Sequence, residues 1–130
     1  MLVRDVMTSA VLTVGPSHTI RQVAQAMRSR HVGAAVVHDP DADGPVILTE
    51  RDVLESVAGG QDPDLELASA HLTPEAVVGL PDWDLDRAAA AMVAGGFRHL
   101  VICDGDDVVG VLSVRDILRV WSQARVTAPA

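Results

Sequence analysis

Apolar residues in this chain follow two rhythms that alternate along its length. Ile20, Val23, Ala24 and Met27 recur at i, i+3, i+4 and i+7, as do Leu85, Ala88, Ala89 and Met92, and this spacing lines one face of a helix. Thr19 and Asp84 stand just ahead of those runs as N-caps, and Gly33 and Gly95-Gly96 are expected to stop them. Between the helices lie short apolar runs with strand character: 11–14, 34–37 and 46–48, then 76–78, 99–103 and 108–112. Polar turns at 39–44 and 104–107 suit hairpins. Closing helices are expected at 50–58 and 114–122, and the residues after Gln123 carry no periodic pattern and are expected to fray.

The same order occurs twice because the sequence repeats. A shift of 65 aligns Thr8, Pro16, Ala24, Ala26, Met27, Val36 and Asp39 with Thr73, Pro81, Ala89, Ala91, Met92, Val101 and Asp104. Past a loop one residue longer in the first copy, a shift of 64 aligns Leu48, Arg51, Asp52 and Leu54 with Leu112, Arg115, Asp116 and Leu118. Each copy opens with a short helical turn and then reads β-α-β-β-α. The copies are placed at 2–58 and 67–122, with a Gly-, Asp- and Pro-bearing linker at 59–66 and a tail at 123–130. A repeat of this size has too little interior to be comfortable alone. The pattern therefore predicts a mixed α/β (α+β) fold in which two pseudo-twofold-related repeats pack sheet to sheet, with ligand clefts between them.

Composition narrows the function. Ten Arg and no Lys against 18 acidic residues give a net charge of −8, which disfavours nucleic acid or an acidic membrane surface as a partner. The opening residues lack a signal-peptide pattern and no apolar run is long enough to span a membrane, so a cytoplasmic location is expected. The lone Cys103, set in an apolar run, reads as a small buried hydrophobe. Five histidines lack zinc-site spacing, so no metal is expected. Without Lys there is neither a Walker P-loop nor a Schiff-base lysine, and no nucleophile-elbow motif occurs, so an enzyme is not expected.

The sharpest local pattern is Thr49-Glu50-Arg51-Asp52, repeated as Ser113-Val114-Arg115-Asp116, each between the last strand and last helix of its copy. A hydroxyl followed three residues later by an acid forms a capping box, which would serve the helix alone. The same groups also suit a nucleotide: helix-start amides and a hydroxyl toward phosphate, and a first-turn carboxylate toward ribose hydroxyls. Both readings stand at this level.

Residues 2–122 resemble a tandem pair of cystathionine-β-synthase (CBS) domains, a Bateman module. The likeness rests on Met7-Thr8, Thr13-Val14, Phe97-Arg98-His99-Leu100, the stretch from Gly110 to Asp116, and the parallel stretch from Ile47 to Asp52. It implies a regulatory module that needs no cofactor and binds an adenosyl ligand such as AMP, ADP, ATP, S-adenosylmethionine or NAD. It further implies a homodimer and an effector protein in trans; a ligand-free dimerisation scaffold is the alternative. By the same resemblance Asp52 and Asp116 hold ribose, while Thr49 and Ser113 contact phosphate or ribose. Strands around Ala34 and His99 flank adenine, and Arg98 and His99 serve phosphate at the Thr49/Asp52 cleft. Thr13, Arg51 and Arg115 complete the candidate set. The counterparts of Arg98 and His99 are Gly33 and Ala34, which carry no charge, so the Thr49/Asp52 site is expected to take phosphorylated ligands better. The first copy departs from the pattern by carrying Val46 where the second has Gly110, a small residue that lets a strand pass close to a ligand or neighbouring backbone.

Overall fold

The computed structural model describes residues 1–41, 44–73 and 78–127, with side chains through 124. Parts of the expected 39–44 turn and 76–78 strand, and the end of the chain, lie outside the described residues. The first repeat forms β1 (Thr13–Val14), α1 (Ile20–Arg30), β2 (Ala34–Val37), β3 (Val46–Thr49) and α2 (Glu50–Ala58). The second forms β4 (Val78–Gly79), α3 (Leu85–Gly95), β5 (His99–Asp104), β6 (Asp107–Ser113) and α4 (Val114–Thr127). A 3-10 turn precedes each set, at Val3–Asp5 and Ala68–Ala70. The strands make two three-stranded sheets, β1-β2-β3 and β4-β5-β6. In each, the first pair is parallel across a helical crossover and the second is an antiparallel hairpin.

Local sequence accounts for the helix ends. The Thr19 side chain accepts from the Gln22 amide at 3.2 Å while Gln22 Oε1 accepts from the Thr19 amide at 2.9 Å, a reciprocal capping box at the start of α1. Asp84 caps α3 through the Asp86 amide at 2.9 Å. Gly96 ends α3 in the left-handed conformation, at φ 71°, as expected. At the matching place in the first repeat the stop is His31, at φ 57°, rather than Gly33. The helix closes two residues before that glycine because the His31 amide already reaches back to Met27 and Arg28. Helix α4 runs past the expected Ser122 to Thr127, since Gln123, Ala124 and Arg125 favour helix without any apolar period.

The chain divides into two compact units, Met1–Ala10 with Val77–Ala130, and Val11–Ala76. Each unit is the body of one repeat completed by the opening of the other. In the Val11–Ala76 unit, Leu12, Val14, Ile20, Val23, Met27, Ala35, Val37 and Leu48 enclose Ala68, with Leu72 against them. Ala68 donates to the His18 carbonyl at 2.8 Å, and Thr73 donates to that of Ile47 at 2.9 Å. In the other unit, Leu85, Ala88, Met92, Leu100, Ile102, Leu112 and Ile117 enclose Val3, with Val6 and Met7 against them. There Val3 donates to the Trp83 carbonyl at 2.9 Å, and Thr8 exchanges bonds with Val111 at 2.9 and 3.0 Å. Aliphatic residues fill both cores. Met27 and Met92 are buried in these cores, at 5% and 3% exposure. Among the described residues no helix is long and apolar enough to cross a membrane.

Candidate functional site

Two strand-to-helix junctions carry the candidate chemistry, one in each unit. In the Val11–Ala76 unit, β3 ends at Thr49, which sits in extended conformation as the N-cap of α2. Ala34 of β2 lies across the ladder from Thr49, and Thr13 of β1 pairs with Val36 further along β2. Ala34 is buried, whereas Thr13 and Arg51 are exposed. Asp52 Oδ2 accepts three hydrogen bonds: from the Thr49 amide at 2.7 Å, the Thr49 hydroxyl at 3.1 Å and the Thr73 hydroxyl at 2.9 Å. Its other oxygen, Oδ1, takes no hydrogen bond among the described residues. The half-buried carboxylate is thus held rigidly through one oxygen and leaves acceptor capacity on the other.

Helix α4 begins in a related way, but its carboxylate is engaged on both sides. Asp116 Oδ2 accepts from the Ser113 amide at 2.9 Å, and the Ser113 hydroxyl accepts from the Asp116 amide at 3.1 Å. Asp116 Oδ1 is paired with Arg119 Nη1 at 3.4 Å. Asp116 is 6% exposed. Arg98 and His99 belong to this same unit, where His99 lies across the ladder from Ser113 and the Arg98 carbonyl accepts from the Val114 amide at 2.9 Å. Arg98 and Arg115 are exposed, and His99 is half-buried.

The capping box is therefore formed at both junctions, and together with a backbone bond from the first helical residue it takes up most of the amides that a phosphate would use. Glu50 N–H donates to the Gly33 carbonyl at 2.9 Å, as Val114 does to Arg98, and the third amide of each helix goes to the cap hydroxyl. Among the described residues, the Arg51 and Arg115 amides remain as the first-turn donors without a protein acceptor. What the junctions offer most directly is a carboxylate for hydroxyl groups.

Two contributors were missed by sequence reasoning. Thr73 reaches Asp52 from the opening of the second repeat, and its match with Thr8 at the repeat shift was the available signal. Arg119 pairs with Asp116 from one helical turn further on, where the first repeat has Glu55. Cys103, at 6% exposure, has its thiol pushed above its ordinary pKa by burial, as befits a packed side chain. No group of three or more His, Cys, Asp or Glu among the described residues could hold a metal ion.

A family model described as the CBS domain matches residues 3–59 and again residues 68–123. The chain belongs to the CBS domain family. It is 35% identical over 117 residues to the CBS domain-containing protein YhcV of Bacillus subtilis, a match covering 88% of this chain and 81% of that one. It is 31% identical over 121 residues to an uncharacterized protein of Methanopyrus kandleri, covering 91% of this chain and 61% of the other. Among solved structures it superposes on a CBS domain protein from Pyrobaculum aerophilum complexed with AMP. The TM-score is 0.82 at 28% identity, over 98% of this chain and 100% of that one. Two CBS repeats thus account for both sheets and all four α-helices described above, and the two junctions are their equivalent strand-to-helix turns.

Proposed function

We propose that this CBS pair is a regulatory module that binds an adenosyl ligand, with the Asp52 carboxylate as its principal ribose acceptor. The observation that carries this reading is the asymmetry within that carboxylate: Oδ2 is fixed by three donors, while Oδ1 takes no hydrogen bond among the described residues. A preorganised acceptor loses little freedom on binding a diol. The likeness to a protein complexed with AMP supports the ligand class. Thr49 and the Arg51 amide flank the same carboxylate, Thr13 and Ala34 belong to the same sheet, and Arg98 and His99 are the candidate phosphate partners. Ser113, Arg115 and Asp116 form the second, weaker station. The module is regulatory rather than catalytic, needs no cofactor or metal, works in the cytoplasm and passes its signal to a separate protein.

A second reading, dimerisation scaffold without ligand, is favoured by one feature. Leu54 and Val57 on α2 are 67% and 53% exposed, and their counterparts Leu118 and Trp121 on α4 are 56% and 42% exposed. The same apolar i, i+3 pair is thus exposed in both repeats, which suits a second copy of the chain. A homodimer is compatible with either reading, so ligand binding decides between them.

The test is thermal unfolding with AMP, ADP, ATP, S-adenosylmethionine, NADH and cyclic di-AMP at millimolar concentration. A ligand at about 100 times its Kd adds about 2.7 kcal/mol, a rise of several degrees in Tm. A shift with one ligand that is lost in Asp52→Ala, and largely kept in Asp116→Ala, is the expected result. No shift with any ligand makes the scaffold the function, and a shift lost only in Asp116→Ala reverses the assignment of the stronger station.

A further inference from the structure

Where the two repeats are superimposed by their sequence shift, one substitution reverses the charge next to the ribose station. Asp52 is followed one turn later by Glu55, and Asp116 by Arg119. The consequence is visible in the side chains. Asp116 Oδ1, the counterpart of the Asp52 oxygen that takes no hydrogen bond among the described residues, is paired with Arg119 Nη1 at 3.4 Å. The pair is uneven: the Asp116 side chain is 9% exposed and that of Arg119 59% exposed. The guanidinium therefore lies over a buried carboxylate from the solvent side and can leave without disturbing the core, whereas Asp116 cannot move without giving up the Ser113 amide.

We infer that Arg119 is a latch on the second station, a specificity-determining residue that occupies the acceptor a ribose diol would need, so that the two stations of this protein bind nucleosides unequally. This rests on the adenosyl-binding reading proposed above. Arg119 acts through Asp116 and is a positioning residue. A diol reaching Asp116 must displace the guanidinium first, and a partly exposed ion pair one helical turn apart lowers affinity by about two- to fivefold. At the first station Glu55 cannot form such a pair, and among the described residues no side chain has to be displaced from Asp52 Oδ1.

The experiment isolates the second station in an Asp52→Asn background and measures adenosine binding calorimetrically, with and without Arg119→Gln. Adenosine is uncharged, so loss of the guanidinium is not confounded with loss of a phosphate contact. The double variant is expected to bind adenosine about two- to fivefold more tightly than Asp52→Asn alone. That gain is expected to vanish with 2′,3′-dideoxyadenosine, a discrimination that a merely structural role for Arg119 would not produce. In the converse experiment, Glu55→Arg in the otherwise unaltered protein is expected to weaken adenosine binding at the first station by a similar factor. Equal affinity in the two Asp52→Asn proteins, including none in either, or an equal gain with the dideoxynucleoside, overturns the latch. In those cases Asp52-dependent binding by the unaltered protein leaves the ligand reading intact. Absence of adenosine binding by the unaltered protein and by Arg119→Gln overturns both.

Discussion

The two repeats have the same element order and a capping box at each closing helix, yet the places where their openings meet the last strand differ. In one, Thr8 passes so close to β6 that a Cβ on Gly110 would lie 2.4 Å from Met7 Sδ and 3.1 Å from the Thr8 carbonyl oxygen. In the other, Thr73 donates its amide to Ile47 and its hydroxyl to Asp52, and the residue aligned with Gly110 is Val46, half-buried and accommodated. The first junction uses the missing side chain for backbone approach, and the second uses a threonine hydroxyl to hold the candidate ligand carboxylate. The copies thus diverge around the acid station, while aligned core residues such as Leu48 and Leu112 stay fully buried in both.

The core equivalence can be broken most sharply. Leu48 and Leu112 are aligned and both 0% exposed, so Leu48→Ala and Leu112→Ala should each cost about 2–5 kcal/mol in urea unfolding. A large inequality between them would show that the two cores are not matched in packing. Next, Gly110→Val should cost about 1–3 kcal/mol by overpacking against Met7 and Thr8, because the Thr8 backbone has to give way. Val46→Gly should cost only about 0.5–1 kcal/mol through chain entropy and lost side-chain contact. Equal costs for this pair would remove the close-approach explanation. Thr73→Val, which deletes one donor to Asp52, should cost about 1 kcal/mol and weaken any Asp52-dependent ligand binding. Thr8→Val should leave ligand affinity unchanged, since its hydroxyl makes no bond to Asp116 among the described residues. The smallest effect concerns the helix stops. His31→Gly relieves a left-handed backbone at φ 57° and should stabilise by about 0.5–1 kcal/mol, measured as a higher Tm.

Much of this molecule is legible in its sequence for a physical reason: helix faces, buried strands and caps are local patterns, and the repeat states them twice. Ile20 to Met27 and Leu85 to Met92 form the expected helices, Thr19 and Asp84 cap them, and the hairpin strands fall where the apolar runs are. The motif at Thr49 to Asp52 is also local, and its capping box forms as spaced. What is not legible depends on contacts between distant segments. A repeat shows that Thr8 and Thr73 are equivalent, but it carries no information on whether each opening packs on its own body or on the other. Thr73 as a partner of Asp52 follows only from that choice. Arg119 was overlooked because an isolated arginine on an exposed helix face has no pattern until it is set beside Glu55. The left-handed stop at His31 was hidden by the nearby Gly33, which attracts the expectation of a helix end.

The traded openings bear on how such a molecule can be cut or inherited. A chain holding one repeat alone would carry the segment that completes someone else's core and would lack the one that completes its own. Two such chains could settle the mismatch by exchange, and their folding would then depend on concentration. Joining the repeats end to end converts that encounter into an intramolecular closure, for which a short tether supplies an effective concentration in the millimolar range. The tandem chain is in this sense a segment-swapped pair made permanent by a peptide bond. The compact unit it forms is bounded by Val11 and Ala76, not by the limits of a repeat.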